Sequence, residues 1–351
     1  MVKSYKWYLR WGIILLILIL TMCALGIIRN KYSKNDVANI WSEDKDSAHI
    51  GVYISKEQNF GIMDIMMFRE ELKNKLKESD AHVTKSGNDT WTDCYLAKSG
   101  VTLSDGEIDT EITAYGVGND FFLFHPFTLV SGSYFTDENS SKDLVVLDED
   151  MAWKYFGSTD IAGMEIYVNG KLHIISGVIK RDEGMFQTAA GNGKSSIYMS
   201  YDSLSKLEEN LAITSYEVVM PNLTKGYAKK IVKDNIGISN SKCEIVECSD
   251  RYSFEALFKV IKNTGKRSMQ TKAVVYPFWE NASRGIEDVC ALLLLLLLIL
   301  SFIILVYVTF RLVIYVSKNG NNFKIWFLGK IKKIVKWFRK IYTTILKKNI
   351  V

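Results

Sequence analysis

Histidine is scarce in the chain. The four residues, His49, His82, His125 and His173, are scattered, and no two stand at a ligand spacing such as i, i+4. No G-x-S-x-G segment occurs and no Cys–His pairing emerges from spacing, so neither metal-dependent nor nucleophilic catalysis has a signature. Cysteine is sparse too. Three of the five cysteines, Cys94, Cys243 and Cys248, lie between the two most apolar runs. An odd number cannot pair completely, and a region of this size needs no covalent staples. Cys243 and Cys248, five apart in "KCEIVEC", fall on opposite faces of a strand. Free thiols are expected, with one disulfide to Cys94 left open. Acid is absent from both ends: residues 1–10 carry three Lys/Arg and residues 311–351 carry eleven, with no Asp or Glu in either.

Charge is missing altogether from "WGIILLILILTMCALGII" (11–28) and from "VCALLLLLLLILSFIILVYVTF" (289–310). About 20 apolar residues in a helix cross the hydrocarbon core, so both runs are long enough to span it. Lys3, Lys6 and Arg10 before the first run resemble a signal sequence, but no A-x-A-like site follows. Met22 stands where a lipoprotein would need a small residue before Cys23. An uncleaved helix is therefore expected. Residues 29–310 hold 30 Lys/Arg against 39 Asp/Glu, a net of −9. Short basic loops resist translocation, which predicts both termini in the cytoplasm and the middle outside. The overall +5 then reflects membrane flanks rather than a nucleic-acid partner.

The middle reads as mixed α+β: two transmembrane helices flanking an outer domain of two α/β pieces with an inserted β-rich lobe at about 128–200. "SAHIGVYIS" (47–55) alternates as a strand, and "FGIMDIMMFREELKNKLKES" (60–79) places apolar residues at 65, 68, 72 and 76, a helical stripe. "WTDCYLAK" and "EITAYGVG" read as strands, "KDLVVLDE" as another, and "EDMAWKYFG" as a short helix ended by Gly157. Two alternating runs flank Asn169-Gly170, a pair favoured in tight hairpins. "SSIYMS" is a strand and "YDSLSKLEEN" a helix. Further on, "SYEVVMP", a helix begun at Asn222 or Thr224, "KCEIVEC" and the helix "RYSFEALFKVIKN" repeat the opening logic.

The stretches "AYGVGNDFFLFHPFTLVSGSYF" (114–135), "VVLDEDMAWKYFG" (145–157), "IAGMEIYVNG" (161–170) and "IISGVI" (174–179) resemble the extracytoplasmic core domain of MacB/FtsX-type ABC transporter permeases. In architecture the resemblance covers roughly residues 11 to 310. It implies a permease-like or accessory membrane subunit, working with an ABC ATPase and a further permease subunit and meeting an extracytoplasmic protein or peptide partner. Family permeases usually carry two more transmembrane helices, and some a fused ATPase; this sequence shows neither. A membrane-anchored extracellular binding or sensor protein, independent of ATP, is the alternative.

No residue is expected to be catalytic, and no cofactor or metal is expected. "TAAGNGKSS" (188–196) approaches a phosphate-binding loop but has Thr188 where glycine is required, and a strand rather than a helix follows. Asp148, Glu149 and Asp150 fit a helix start, where negative charge is favourable. Phe121, Phe122, Phe124 and Phe127 are either core or, if exposed, a patch for a partner. The methionines of "GIMDIMM" fit the core better. Tyr276, Phe278 and Trp279 stand where aromatic rings favour the headgroup level, in a stretch that would also carry helix movement to the outer domain. In the tail, apolar residues recur at 327, 328, 331, 334, 335, 338, 341, 342 and 345, with Lys330, Lys332, Lys333, Lys336, Arg339 and Lys340 mainly on the other side. With Trp326 and Trp337 at its boundary, it is expected to be a basic amphipathic helix on anionic inner-leaflet lipid. Docking on an ATPase is its sharper alternative.

Overall fold

The computed structural model describes residues 2–34, 36–42, 47–79, 90–136, 143–182, 184–267 and 273–348, without the side chains of 2–8, 33–34, 265–267 and 319–348. It divides into two compact units, Ala24–Leu294 and the pairing of Met1–Cys23 with Leu295–Val351. His82 lies outside the described residues.

The long helix α1 (Val2–Lys34) is followed by a short one, α2 (Val37–Trp41), whose first turn is capped by the Asp36 carboxylate. Strand β1 (Ser47–Ile54) and helix α3 (Ile62–Glu78) come next. The hairpin of β2 (Thr92–Ser104) and β3 (Asp109–Asn119) ends in one helical turn, α4 (Phe121–Phe124). Then come β4 (Thr128–Gly132), β5 (Leu144–Asp148) and α5 (Glu149–Phe156). A second hairpin, β6 (Glu165–Val168) with β7 (Lys171–Lys180), precedes the turn α6 (Met185–Gln187). The chain continues through β8 (Ser196–Ser200), α7 (Tyr201–Ser205), β9 (Ile213–Pro221) and α8 (Tyr227–Asn235). It closes with β10 (Cys243–Glu247), α9 (Phe254–Arg267) and α10 (Phe278–Lys348).

The ten strands form one sheet in the order β10-β1-β9-β2-β3-β8-β5-β7-β4, with β6 paired to β7 and touching β2. Every pairing is antiparallel except β3 with β8 and β5 with β7. The segment expected as an inserted lobe is built into the same sheet, which it extends. Its strands join the rest through the parallel β3–β8 seam, a long-range pairing that local pattern does not encode. The Asn169-Gly170 hairpin forms as expected, both residues with positive φ (48° and 75°), the conformation a two-residue turn requires.

Strand alternation decides what each face of the sheet buries. In β1, Ala48, Ile50, Val52 and Ile54 point to the larger core, with Tyr216, Val218 and Met220 of β9. On this face α3 lays down Ile65, Phe68, Leu72 and Leu76, the stripe read from sequence. Burying each of these side chains contributes about 1.5–3 kcal/mol. The methionines differ from expectation: Met63, Met66 and Met67 are exposed, because the helical period turns them away from the sheet. The opposite face carries Cys94, Leu96, Val117, Phe121, Phe124, Tyr198 and Val219, a smaller cluster. On that face His49, Tyr53 and Glu217 alternate with the core residues of their strands.

Helix α8 starts at Gly226 rather than at Asn222 or Thr224, although Asn222 Oδ1 accepts from Ala228 N at 3.1 Å and Thr224 O from Tyr227 N at 2.9 Å. The loop resembling a phosphate-binding motif follows α6, forms a π-type turn (Thr188–Asn192) and then enters β8. α1 and α10 contain the two stretches long and apolar enough to cross a membrane, Leu9–Tyr32 and Phe278–Lys318, and most of their apolar side chains are exposed. α10 runs on without interruption to Lys348, where a separate tail helix was expected. In the smaller unit, the rings of Trp11 and Tyr307 lie 4.0 Å apart.

A buried charged junction at the root of the outer domain

Ala24–Leu294 holds a cluster of buried charged groups where Asp36, the cap of α2, the central strands and the first turns of α10 meet. Glu217 is its hub. Lying mid-way along β9, it is 2% exposed, and a carboxylate there costs free energy unless its oxygens are fully occupied. Oε2 faces His49 Nε2 at 2.8 Å, and Oε1 faces His125 Nε2 at 3.1 Å. The Trp279 indole donates to Oε1 at 3.0 Å, as does Ser215 Oγ at 3.4 Å. Burial opposes the charge, but the fields of His125 and His49 and their hydrogen bonds outweigh it and hold Glu217 far below the usual carboxylate range. His49 is also clasped from its other side, with Nδ1 3.5 Å from Asp36 Oδ2. Burial would lower its pKa, yet the hydrogen-bonded carboxylates of Asp36 and Glu217 raise it well above the ordinary value.

A second knot adjoins the first. Arg251 Nη2 donates to Glu280 Oε2 at 2.6 Å and meets Cys248 Sγ at 3.3 Å. Its Nη1 lies 3.1 Å from Glu287 Oε1, an ion pair outside hydrogen-bond geometry. Tyr53 donates to Glu280 Oε2 at 3.1 Å, and Arg284 Nε to Glu280 Oε1 at 2.7 Å. Arg284 also covers the ring of Tyr276, 3.9 Å from its centroid. Between the knots lies a cavity of about 190 Å³ lined by Asp36, His49, Tyr53, Glu217, Arg251 and Trp279 among others. Both ring nitrogens of His49 face carboxylates, which leaves neither in position to activate a nucleophile. Burial pushes the Cys248 thiol up, away from the reactive thiolate. Among the described residues, no group of three or more His, Cys, Asp or Glu is arranged to hold a metal ion. What this geometry does is fasten α10 and the cap of α2 to strands β1 and β9.

The sheet brings together His49 and His125, which spacing alone left scattered. Of the phenylalanines singled out for partner contact, Phe121 and Phe124 are buried, and Phe122 and Phe127 pack against the same cluster. Phe121 lies 5.9 Å from Trp279 and Phe122 stacks on Tyr134 at 4.3 Å. They are core, not a free surface. Tyr276, Phe278 and Trp279, expected at the headgroup level, pack into the domain instead: Phe278 is 8% exposed, Trp279 binds Glu217, and Tyr276 meets Tyr53 edge-on at 5.4 Å. The Trp279 indole N–H finds a fixed partner there, a stronger reason for an amphipathic ring than a lipid boundary. Trp326, Lys332, Lys333, Lys336, Trp337, Arg339 and Lys340 lie on the helical backbone of α10, with side chains outside the described set. Asp148 caps α5 through Met151 N and ties it to β8 through Ser196 N, at 2.9 and 2.8 Å. His173 is buried beside the carbonyl of Lys171. Cys94, Cys243 and Cys248 are buried thiols outside any disulfide.

Sequence reasoning missed Asp36, Glu217, Arg251, Glu280 and Glu287. One signal was legible: Glu217 is a lone charge inside the apolar strand "SYEVVMP". The others come from three separate segments, and only the fold collects them.

Residues 17–236 match the model of the MacB-like periplasmic core domain. The chain belongs to that family. Membership agrees with a sheet domain between two apolar helices and makes this a membrane protein with an extracytoplasmic MacB-like domain. Among curated relatives, the macrolide export ATP-binding/permease proteins MacB of Neisseria gonorrhoeae and Neisseria meningitidis are each 33% identical over 94 residues, 26% of this chain. The match spans only 14% of the length of those relatives. Among solved structures, the extracellular domain of the noncanonic ABC-type transporter YknZ from Gram-positive bacteria is 18% identical, with a TM-score of 0.39, covering 57% of this chain and all of that one. The periplasmic region of MacB from Actinobacillus actinomycetemcomitans is 15% identical, with a TM-score of 0.41, covering 64% of this chain and 94% of that one.

Proposed function

We propose that this MacB-like protein is a permease-like or accessory membrane subunit of a MacB/FtsX-type ABC system, and that its outer domain transmits or receives movement of the membrane helices. One observation carries the reading: Asp36 and Glu217 of β9 share one buried knot, Glu280 and Glu287 of α10 share the adjoining one, and Trp279 of α10 binds Glu217. Ion pairs so placed resist shear, because separating them strands a buried charge at a cost of about 3–5 kcal/mol. Movement of α10 is therefore passed to β1 and β9 rather than absorbed. The domain works by contact and not by chemistry, a reading supported by the occupied nitrogens of His49 and the protonated Cys248 thiol.

Both basic ends lie in the cytoplasm in this proposal, where residues 311–351 rest on anionic lipid or meet the ATPase. The ATPase and a further permease subunit are separate partners. The full chain, purified in mild detergent from its native membrane, is expected to bring down an ABC-type ATPase and a second permease-type subunit. A chain recovered folded but alone would overturn the proposal and favour an ATP-independent sensor. Replacing the tail lysines by glutamine separates the two roles of the tail: release of the ATPase marks docking, and loss of membrane affinity alone marks an anchor.

A further inference from the structure

α9 carries an apolar arc wider than its contact with the domain. Leu257 is buried and Val260 half-buried, while Phe254 and Phe258, one turn apart, are 58% and 50% exposed. Their rings stack at 6.3 Å. Aromatic rings of this size bury roughly 150–250 Å² when covered, so a bare stacked pair is a costly surface in water.

The height of α9 is set by Arg251 and Tyr252, just before it. Tyr252 packs 5.8 Å from Tyr32, the last residue of the first apolar stretch. It is hydrogen-bonded with Ser283 of α10, and Arg251 reaches Glu287, two residues before the charge-free run at Val289. The helix therefore begins level with the points where both apolar stretches meet water. Lys262 is exposed beside the aromatic edge, where phosphate headgroups would complement it. The other side of α9 borders a polar cleft of about 390 Å³ lined by Lys225, Glu244, Glu247 and Asp250 among others, which leaves the phenylalanine edge as the lipid-compatible one.

We propose that α9 is an interfacial helix that seats Phe254 and Phe258 in the outer boundary of the bilayer, beside the entry points of α1 and α10. The inference goes beyond the transport reading and rests only on the two stretches being membrane spans. It gives the outer domain a third foothold, independent of the buried junction.

The test uses the full chain with Cys23→Ser, since the other four cysteines are buried. Spin labels are placed singly at Phe254→Cys and Phe258→Cys, with Phe302→Cys in the second stretch and Glu107→Cys on the domain as references. In vesicles of phosphatidylethanolamine and phosphatidylglycerol, labels at 254 and 258 are expected to collide severalfold more with oxygen than with a water-soluble nickel chelate, approaching position 302. A profile like that of position 107, while 302 remains in lipid, overturns the interfacial helix alone. Shielding from both reagents also overturns it, since a protein then covers the patch. A watery label at 302 overturns the span reading, and this inference with it.

Discussion

Glu217 takes hydrogen bonds or ion pairs from His49, His125, Trp279 and Ser215. Glutamine in its place keeps the shape but removes the charge that two histidines oppose. Breaking such a buried pair costs about 3–5 kcal/mol, so Glu217→Gln is expected to lower the melting temperature of the detergent-solubilised chain by many degrees. A variant melting like wild type would show the junction to be incidental. The pH dependence follows from the shifts. His49 is raised above 6.5, so its contribution is complete below that value and is lost as pH climbs through the elevated folded value. Glu217 is depressed from 4.5, so its contribution is complete above that value and fades only in strong acid. The junction should therefore hold best from about pH 5 to 6.5 and loosen on the alkaline side. Melts across pH 5–9 are expected to decline through the upper part of that range, and His49→Gln to flatten the decline.

At the scale of elements, α10 meets the loop before β8 at one close contact. A side-chain carbon added to Gly285 would stand 2.6 Å from the Phe186 ring. Gly285→Ala should cost about 1–3 kcal/mol by overpacking, and Phe186→Ala in the same chain should recover most of it. Thermal melts of the single and double variants read this directly; additive losses would mean that the contact is not formed. The same contact shows why some of the fold was legible and some was not. α3 could be read from four apolar positions, and the β6–β7 hairpin from Asn169-Gly170, because both signals are local. The β3–β8 seam and the approach of Phe186 to Gly285 join residues far apart in the chain. The aromatic stretch 276–279 was misassigned for a related reason: a ring beside a membrane span suits lipid and protein equally well until Glu217 and Tyr53 are known to lie next to it.

For the whole molecule, the distribution of charge remains the clearest guide to topology. A cysteine introduced at Lys333 is expected to escape a membrane-impermeant maleimide added to intact cells, and one at Glu107 to react. The reverse pattern would invert the protein and remove the basis for an outer domain. Composition and the two apolar stretches announced the membrane and the mixed α+β body between them. The junction itself was hidden, because its acids and bases read singly as ordinary surface charges.

The β2–β3 hairpin has one end beside the junction and the other far from it. Cys94 is in register with Glu217 on one side and Asn119 on the other, and the ladder continues to Ser104 and Asp109. At about 3.3 Å per residue the turn beyond lies roughly 33 Å from its base, so each degree of tilt there displaces it by about 0.6 Å. Under the proposed coupling, a small rocking of the domain's base would become a stroke of several ångströms at residues 105–108, which makes that distal tip the place to attach a distance probe.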